Sequence, residues 1–272
     1  MSEQMLRTRA FRALHASGCF VMPNPWDPGS ARLLAQIGYK ALATTSAGFA
    51  WTRGHADNTV PLEMVLAHLR EMVAATPLPL NADFEGGFAV DPDSVGRNVT
   101  LAVATGVAGL SIEDSTGQPD APLFELDLAV DRIRAARAAI DRTGEQTVLT
   151  ARCESYLVGR PDVEFTAARL AAFAAAGADC VFAPGVRSLA DISTIVKSVA
   201  PTPVNVLVGA NFTTVAQLAD SGVRRISVGG ALARTAWTGA IKAAREIASH
   251  GTFKCFNDSV PAADLNGAFA GK

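Results

Sequence analysis

Two short acidic stretches hold the residues best suited to chemistry: Asn81-Ala82-Asp83-Phe84-Glu85-Gly86-Gly87 and Glu113-Asp114. Each directly follows an apolar run, Pro77 to Leu80 in one case and Gly109 to Ile112 in the other. Unpaired carboxylates are rarely buried, so both clusters are expected where buried strands emerge from a core. Two strand ends that bring acids to one place form a site for a hard divalent cation. The alternative is that they are ordinary loop acids and helix caps. A third run, Val148 to Ala151, ends in Arg152-Cys153-Glu154. Acids with one arginine suit an anionic, oxygen-rich substrate held on a metal. The metal would take oxygen ligands, retain waters and polarise a carbonyl. Arg152 would clamp a carboxylate or phosphonate through its planar fork, or pair internally with Glu154 or Glu113.

Short apolar runs alternate with longer amphipathic segments along the whole chain. Strands are expected at Phe20–Met22, Ala41–Thr44, Leu80–Ala82, Gly109–Ile112, Val148–Ala151, Cys180–Phe182, Val204–Leu207 and Arg225–Val228. Helical spacing marks Pro28–Ile37, Pro61–Ala75, Pro92–Thr105, Leu126–Arg142, Asp162–Ala176, Leu189–Val199, Thr213–Ser221 and Ala231–His250. Glycines at 38, 106, 177 and 222 sit where left-handed helix caps are needed. Alternation with short links implies parallel strands, and about eight units imply a closed (β/α)8 barrel. An open doubly wound sheet would carry a glycine-rich first turn, whereas this turn is Asn24-Pro25-Trp26-Asp27-Pro28. The barrel domain is placed at residues 1–250. Residues 251–272 are read as a C-terminal arm that packs on the barrel or on a partner subunit.

Barrel chemistry sits at the carboxyl ends of the strands. Those ends hold Trp26 and Asp27, then Thr45, Ser46 and Ala47 with Asp57 in the following loop. Asn81, Asp83, Glu85, Glu113, Arg152 and Asn205 continue the set, and Gly229-Gly230 precedes the last helix as a candidate anion nest. His15, His68 and His250 fall in helical segments; His55 lies in the loop after the second strand. Cys19, Cys153, Cys180 and Cys255 have no metal-type spacing, and Cys19 and Cys180 read as reduced core residues. Apolar residues make up 49% and charged residues 18%, so the chain can bury a large core. A formal charge of -2 leaves no basic footprint for nucleic acid or membrane. No apolar run reaches transmembrane length, and residues 1–12 lack a signal-peptide stretch. A cytoplasmic location is expected.

These residues resemble the isocitrate lyase and phosphoenolpyruvate mutase superfamily over nearly the whole chain. Tyr39-Lys40-Ala41-Leu42 running into Thr44-Thr45-Ser46-Ala47-Gly48 is similar to its second strand and substrate-binding turn. Asn81-Ala82-Asp83 resembles its Asp-x-Asp metal motif, and Ser111-Ile112-Glu113-Asp114 its Ile-Glu-Asp motif. Asp57 falls at an active-site aspartate, and Ala151-Arg152-Cys153-Glu154 is similar to the strand that ends in its substrate-clamping arginine.

The resemblance implies a (β/α)8 barrel, often tetrameric, with the last helix exchanged between paired subunits. It implies Mg²⁺ or Mn²⁺, for which the candidate ligands in this chain are Asn81, Asp83, Glu85 and Glu113. It assigns catalysis to Asp57, Arg152 and Glu113, with Trp26, Thr45, Ser46, Ala47, Arg152 and Asn205 contacting a small carboxylate substrate. The chain departs from the family twice. Asn81 stands where the direct metal-binding aspartate is expected, and Glu85 stands where glycine is common. The loop Ser115 to Pro122 lacks the Lys-x-Cys-Gly-His motif of isocitrate and methylisocitrate lyases, which argues against both activities. The expected function is a Mg-dependent lyase for a 2-oxo or 2-hydroxy dicarboxylate, cleaving a C–C bond or decarboxylating through a metal-stabilised enolate. The alternatives are P–C chemistry of the phosphonopyruvate hydrolase or phosphoenolpyruvate mutase type, and a non-catalytic metabolite-binding barrel.

Overall fold

A computed structural model describes residues 2–270. Eight parallel strands form one sheet: β1 (Phe20–Met22), β2 (Leu42–Ala43), β3 (Leu80–Asp83), β4 (Gly109–Glu113), β5 (Val148–Arg152), β6 (Cys180–Phe182), β7 (Val204–Leu207) and β8 (Arg225–Ser227). Sequence neighbours pair in order from β2 to β8, and β8 then pairs with β1, with Val21 opposite Ile226. The seam between β1 and β2 closes through Ala43 N–H to the Pro23 carbonyl at 3.1 Å. Asn24 completes that closure. Its amide donates to the Thr44 carbonyl at 2.9 Å, and its Oδ1 accepts from Val228 and Gly229, both at 2.9 Å. The architecture is a (β/α)8 barrel, and the expected strand positions agree with it to within one or two residues.

The helices are α1 (Glu3–Ala16), α2 (Pro28–Ile37), α3 (Ser46–Thr52), α4 (Leu62–Ala75), α5 (Pro92–Val103), α6 (Leu126–Thr143), α7 (Val163–Ala175), α8 (Leu189–Val199), α9 (Val215–Asp220), α10 (Ala231–His250) and α11 (Ala262–Ala270). Local chemistry sets many of their ends. Asp27, Asp91 and Asp162 each accept a backbone N–H in the first turn of α2, α5 and α7, at 2.7, 2.8 and 3.0 Å. Such caps stabilise a helix by about 1 kcal/mol each. Gly38 and Gly177 take φ of 102° and 105°, which a side chain would resist.

The N-terminal stretch, for which no element was expected, folds as α1 and closes the amino end of the barrel. Phe11 enters a small cluster with Met22, Ala43, Ala108 and Val148. Gly109 makes this possible, because a Cβ there would stand 2.7 Å from the Phe11 ring. The main apolar core lies between strands and helices, around Leu66, Leu69, Leu110, Leu149, Leu170 and Phe173. Barrel interiors are usually filled with branched apolar side chains. Here the interior is largely polar, with Asn81, Ser111, Thr150, Asn205, Arg225 and Ser227 all buried.

The chain after His250 also gains structure that its weak periodicity did not show. A 3-10 turn at Lys254–Asp258 leads to α11, which rests on α2 of the same barrel through Gln36 and Phe269. Positions 271 and 272 of the expected arm lie outside the described residues. α10 is twenty residues long, yet only Ala233 is buried, and Trp237 and Ile241 are each 44% exposed.

Candidate active site

A cavity of about 150 Å³ opens at the carboxyl ends of the strands. It is small beside the roughly 300–1,000 Å³ of drug-sized ligand pockets. Of the residues expected to form the site, Thr45, Ser46, Ala47, Asp57, Asn81, Asp83, Arg152 and Asn205 line it. Three do not. Trp26 packs behind α3, its Cβ only 2.9 Å from where a Gly48 Cβ would stand. Glu85 faces an adjoining cleft between α3 and α4, shared with His68. Glu113 borders a separate small void with Arg132 and Phe173.

Asp83 ends β3 and is held from two sides. Its N–H donates to Thr44 Oγ1 at 2.8 Å, and its Oδ2 accepts the Ser46 N–H at 3.0 Å. The backbone amide of Ser46, an expected substrate contact, is therefore engaged by Asp83. Thr45 caps α3 through Gly48 N–H at 3.3 Å, which fixes the turn.

Arg152 sits among the acids. Its Nη1 lies 3.3 Å from Asp83 Oδ1 and 3.1 Å from Glu113 Oε2, and its Nε donates to Glu154. Burial disfavours the guanidinium charge, but Glu113, Glu154 and Asp83 together outweigh that and raise its pKa well above the ordinary value. Arg152 thus pairs internally, and the same residue lines the cavity. Asp114, by contrast, is structural. Its Oδ1 accepts from Glu154 N–H at 2.8 Å and its Oδ2 pairs with Arg169 Nε at 2.9 Å.

The carboxylates outnumber the cation. Burial raises the Glu85 carboxyl to about 8, and Asp83 and Asp57 add to the effect. Glu113 is also held above the usual range by burial, opposed by Arg152 and reinforced by Glu154. Asp57 is raised by desolvation at the mouth, with Asp83 contributing. Glu85 stands at φ 46°, the left-handed region that favours glycine. Its loop is pinned by the buried Arg132, which donates to the Gly86 carbonyl, to Ala89 O at 3.0 Å and to Glu113 O at 3.2 Å.

The donors suit a hard divalent cation in kind. Asn81 lines the cavity with Asp83, and its Oδ1 is buried without a hydrogen-bond partner beside Gly109, where a Cβ would stand 2.8 Å from it. Such an orphan acceptor needs a donor or a cation. Among the described residues, no three His, Cys, Asp or Glu side chains are gathered closely enough to share an ion. The Arg152 guanidinium occupies the space between Asp83 and Glu113, so those two could share a cation only after it moved. Asn81 and Asp83 are the pair already facing one space.

The remaining expectations resolve on burial. Cys153 is fully buried, and burial with Asp114 nearby pushes its thiol up to about 12, so it is a core residue. The loop after β4 closes on itself by a Ser115–Leu123 bridge and a Thr116 N–H to Pro122 O bond of 3.0 Å. It contributes nothing to the cavity lining. Gly229 and Gly230 both line the cavity, and the Gly229 N–H is engaged by Asn24 in barrel closure. Arg225 and Arg132 were not anticipated. Arg225 had a signal: in Val223-Arg224-Arg225-Ile226, strand alternation must turn one arginine inward.

The family model of phosphoenolpyruvate phosphomutase matches residues 11–248. A crystal structure of a protein from Burkholderia cenocepacia J2315, described as a candidate lyase/mutase, is 45% identical with a TM-score of 0.96, covering 99% of this chain and 97% of that one. An uncharacterised protein of Mycobacterium tuberculosis is 31% identical over 222 residues, 81% of each chain. An oxaloacetate decarboxylase of Chromohalobacter salexigens is 29% identical over 270 residues, 94% of this chain and 87% of that one.

Proposed function

This chain belongs to the phosphoenolpyruvate phosphomutase family, within the isocitrate lyase and phosphoenolpyruvate mutase superfamily, and from that premise we propose that it is a carbon–carbon lyase for a small 2-oxo dicarboxylate. Decarboxylation of an oxaloacetate-like acid is the favoured reaction. The observation that carries this reading is the meeting of Asn81, Asp83 and Arg152 on one small polar cavity.

Asn81 and Asp83 would hold Mg²⁺ or Mn²⁺, which supplies polarisation of the 2-oxo group when bound. Arg152 exchanges its contact with Asp83 for a substrate carboxylate, and Glu154 keeps the guanidinium oriented through Nε. Glu113 lies behind Arg152 and balances its charge. It acts as a positioning residue there. Asp57 stands at the mouth within reach of solvent and is the group placed to pass a proton between water and the cavity. The hairpin after β4 brings no cysteine or histidine to donate a proton. A decarboxylation needs no such donor, because the enolate left behind takes its proton from water.

The similarity to an oxaloacetate decarboxylase supports this choice, as does a cavity too small for a nucleotide cofactor. A second copy of the chain is the expected partner. The exposed face of α10, with Trp237 and Ile241 beside Trp51, borders an apolar groove of about 520 Å³, and exposed patches of this kind mark interfaces. No helix among the described residues is long and apolar enough to cross a membrane. The test is pyruvate release from oxaloacetate by purified protein with Mg²⁺, above the metal-only rate. Asp83→Asn and Arg152→Met should each lose it. No release from any small 2-oxo dicarboxylate would overturn the reading, and a phosphorus NMR change with phosphonopyruvate would favour P–C chemistry instead.

A further inference from the structure

The floor of the cavity holds a cation without an anion. Arg225 is 2% exposed at the start of β8 and borders the cavity from within the barrel. Its three recorded partners are all neutral. Nε donates to Asn205 Oδ1 at 2.9 Å, Nη2 donates to Thr150 Oγ1 at 3.0 Å, and Nη1 lies 3.4 Å from His15 Nε2. His15 is neutral at ordinary pH, because burial and the nearby Arg225 lower its pKa to about 3. Its Nδ1 meets the Phe11 carbonyl at 2.8 Å, which leaves Nε2 as the acceptor. Cys180 also lies close, but burial raises its thiol pKa and keeps it uncharged.

Every other deeply buried cation near the site has a carboxylate close by. Arg152 has Asp83, Glu113 and Glu154, and Arg169 has Asp114. Arg132 feels Asp114 and Glu113. No carboxylate among the described residues pairs with Arg225. A buried charge is normally paired, since desolvating it alone is costly. Three acceptors take three of its five N–H groups, so two donors remain on a residue that lines the cavity. Asn205 is in turn fixed by Ser227 Oγ at 2.9 Å. Neutral acceptors thus surround a fixed positive charge at the closed end of the cavity.

We propose that Arg225 is an anion-binding residue that takes one carboxylate of a small dicarboxylate at the cavity floor, making the ligand the missing counter-ion of the barrel interior. The cavity then carries opposite charges at its two ends. Asp57 and Asp83 stand near the mouth, and Arg225 stands at the bottom. A diacid is oriented by this field, with one carboxylate inward on Arg225 and the 2-oxo end outward at Asn81 and Asp83. Monoacids and neutral ketones lack one of the two anchors. This deepens the lyase reading by naming the charge pattern of its substrate, and it rests on that reading only for the identity of the ligand.

The probe is malonate in EDTA at constant ionic strength, followed by calorimetry and by thermal unfolding. Wild-type protein should bind malonate and gain melting temperature. Arg225→Met should keep a melting temperature near wild type without ligand, since it removes an unpaired buried charge, and should bind malonate about 10- to 100-fold more weakly. Arg225→Lys, which retains charge but not the fork, should fall between them. The idea is overturned if wild-type protein does not bind malonate in EDTA, or if Arg225→Met binds within threefold of wild type. Failure of the lyase reading looks different: no pyruvate forms with Mg²⁺, while malonate binding and its dependence on Arg225 persist.

Discussion

Replacing Glu85 by glutamine should remove a pH-dependent instability that Mg²⁺ also relieves. The Glu85 carboxyl is raised from 4.5 to about 8, first by burial and then by Asp83 and Asp57. A carboxyl raised in the folded state binds its proton more tightly there than in the unfolded chain. Its contribution is therefore fully present below about 4.5 and is lost as pH climbs towards 8. At about 1.4 kcal/mol per pH unit the ceiling is near ~5 kcal/mol. Partial solvent access reduces this, so about 1–3 kcal/mol is expected. At roughly 2–4 °C per kcal/mol, that is a shift of about 2–12 °C. Thermal unfolding of wild type and E85Q in EDTA, from pH 5 to 9, isolates the effect because the other carboxyls cancel. The two proteins should melt together at pH 5, and E85Q should melt higher above pH 8. Mg²⁺ should raise the wild-type melting temperature more at pH 8.5 than at pH 6, since it replaces protons on crowded acids. Parallel melting curves across the range, or a pH-independent Mg²⁺ effect, would refute the crowding argument.

Three further outcomes separate structural acids from site acids and test the assembly. Asp114→Ala leaves Arg169 buried without its partner, where the pair is 2% and 6% exposed, and should cost about 3–5 kcal/mol. Asp131→Ala, from a pair 55% and 65% exposed, should cost under about 0.5 kcal/mol in the same urea titration. Asn81→Asp supplies an anion beside Asp83 and should tighten Mg²⁺ binding about tenfold by calorimetry; unchanged affinity would remove Asn81 from the cation site. Light scattering should give a particle at least twice the mass of one chain, and Trp237→Glu with Ile241→Glu should reduce it to the monomer.

The order of apolar runs, glycine stops and Asp-Pro starts was enough to read the barrel, because parallel strands and their caps leave period-based marks in the chain. The same logic placed Asp83, Arg152, Asn81 and the Thr45 turn at strand ends, and these do share one cavity. Which of the neighbouring acids faces that cavity was not readable. Glu113 and Asp114 are adjacent, yet Asp114 turns to Arg169 on α7 and Glu113 to Arg152 at the end of β5, a division set by alternation along the strand end and by what each face meets. Glu85 points to a side cleft because its backbone takes a left-handed turn held by Arg132, forty-seven residues further along the chain. Arg225 carries the same lesson. One sequence position makes it a strand residue, but its meaning as an unpaired cation depends on Asn205, Thr150 and His15, which only the closed barrel brings together. Local pattern determines where a side chain leaves the backbone, and long-range packing decides what charge it meets.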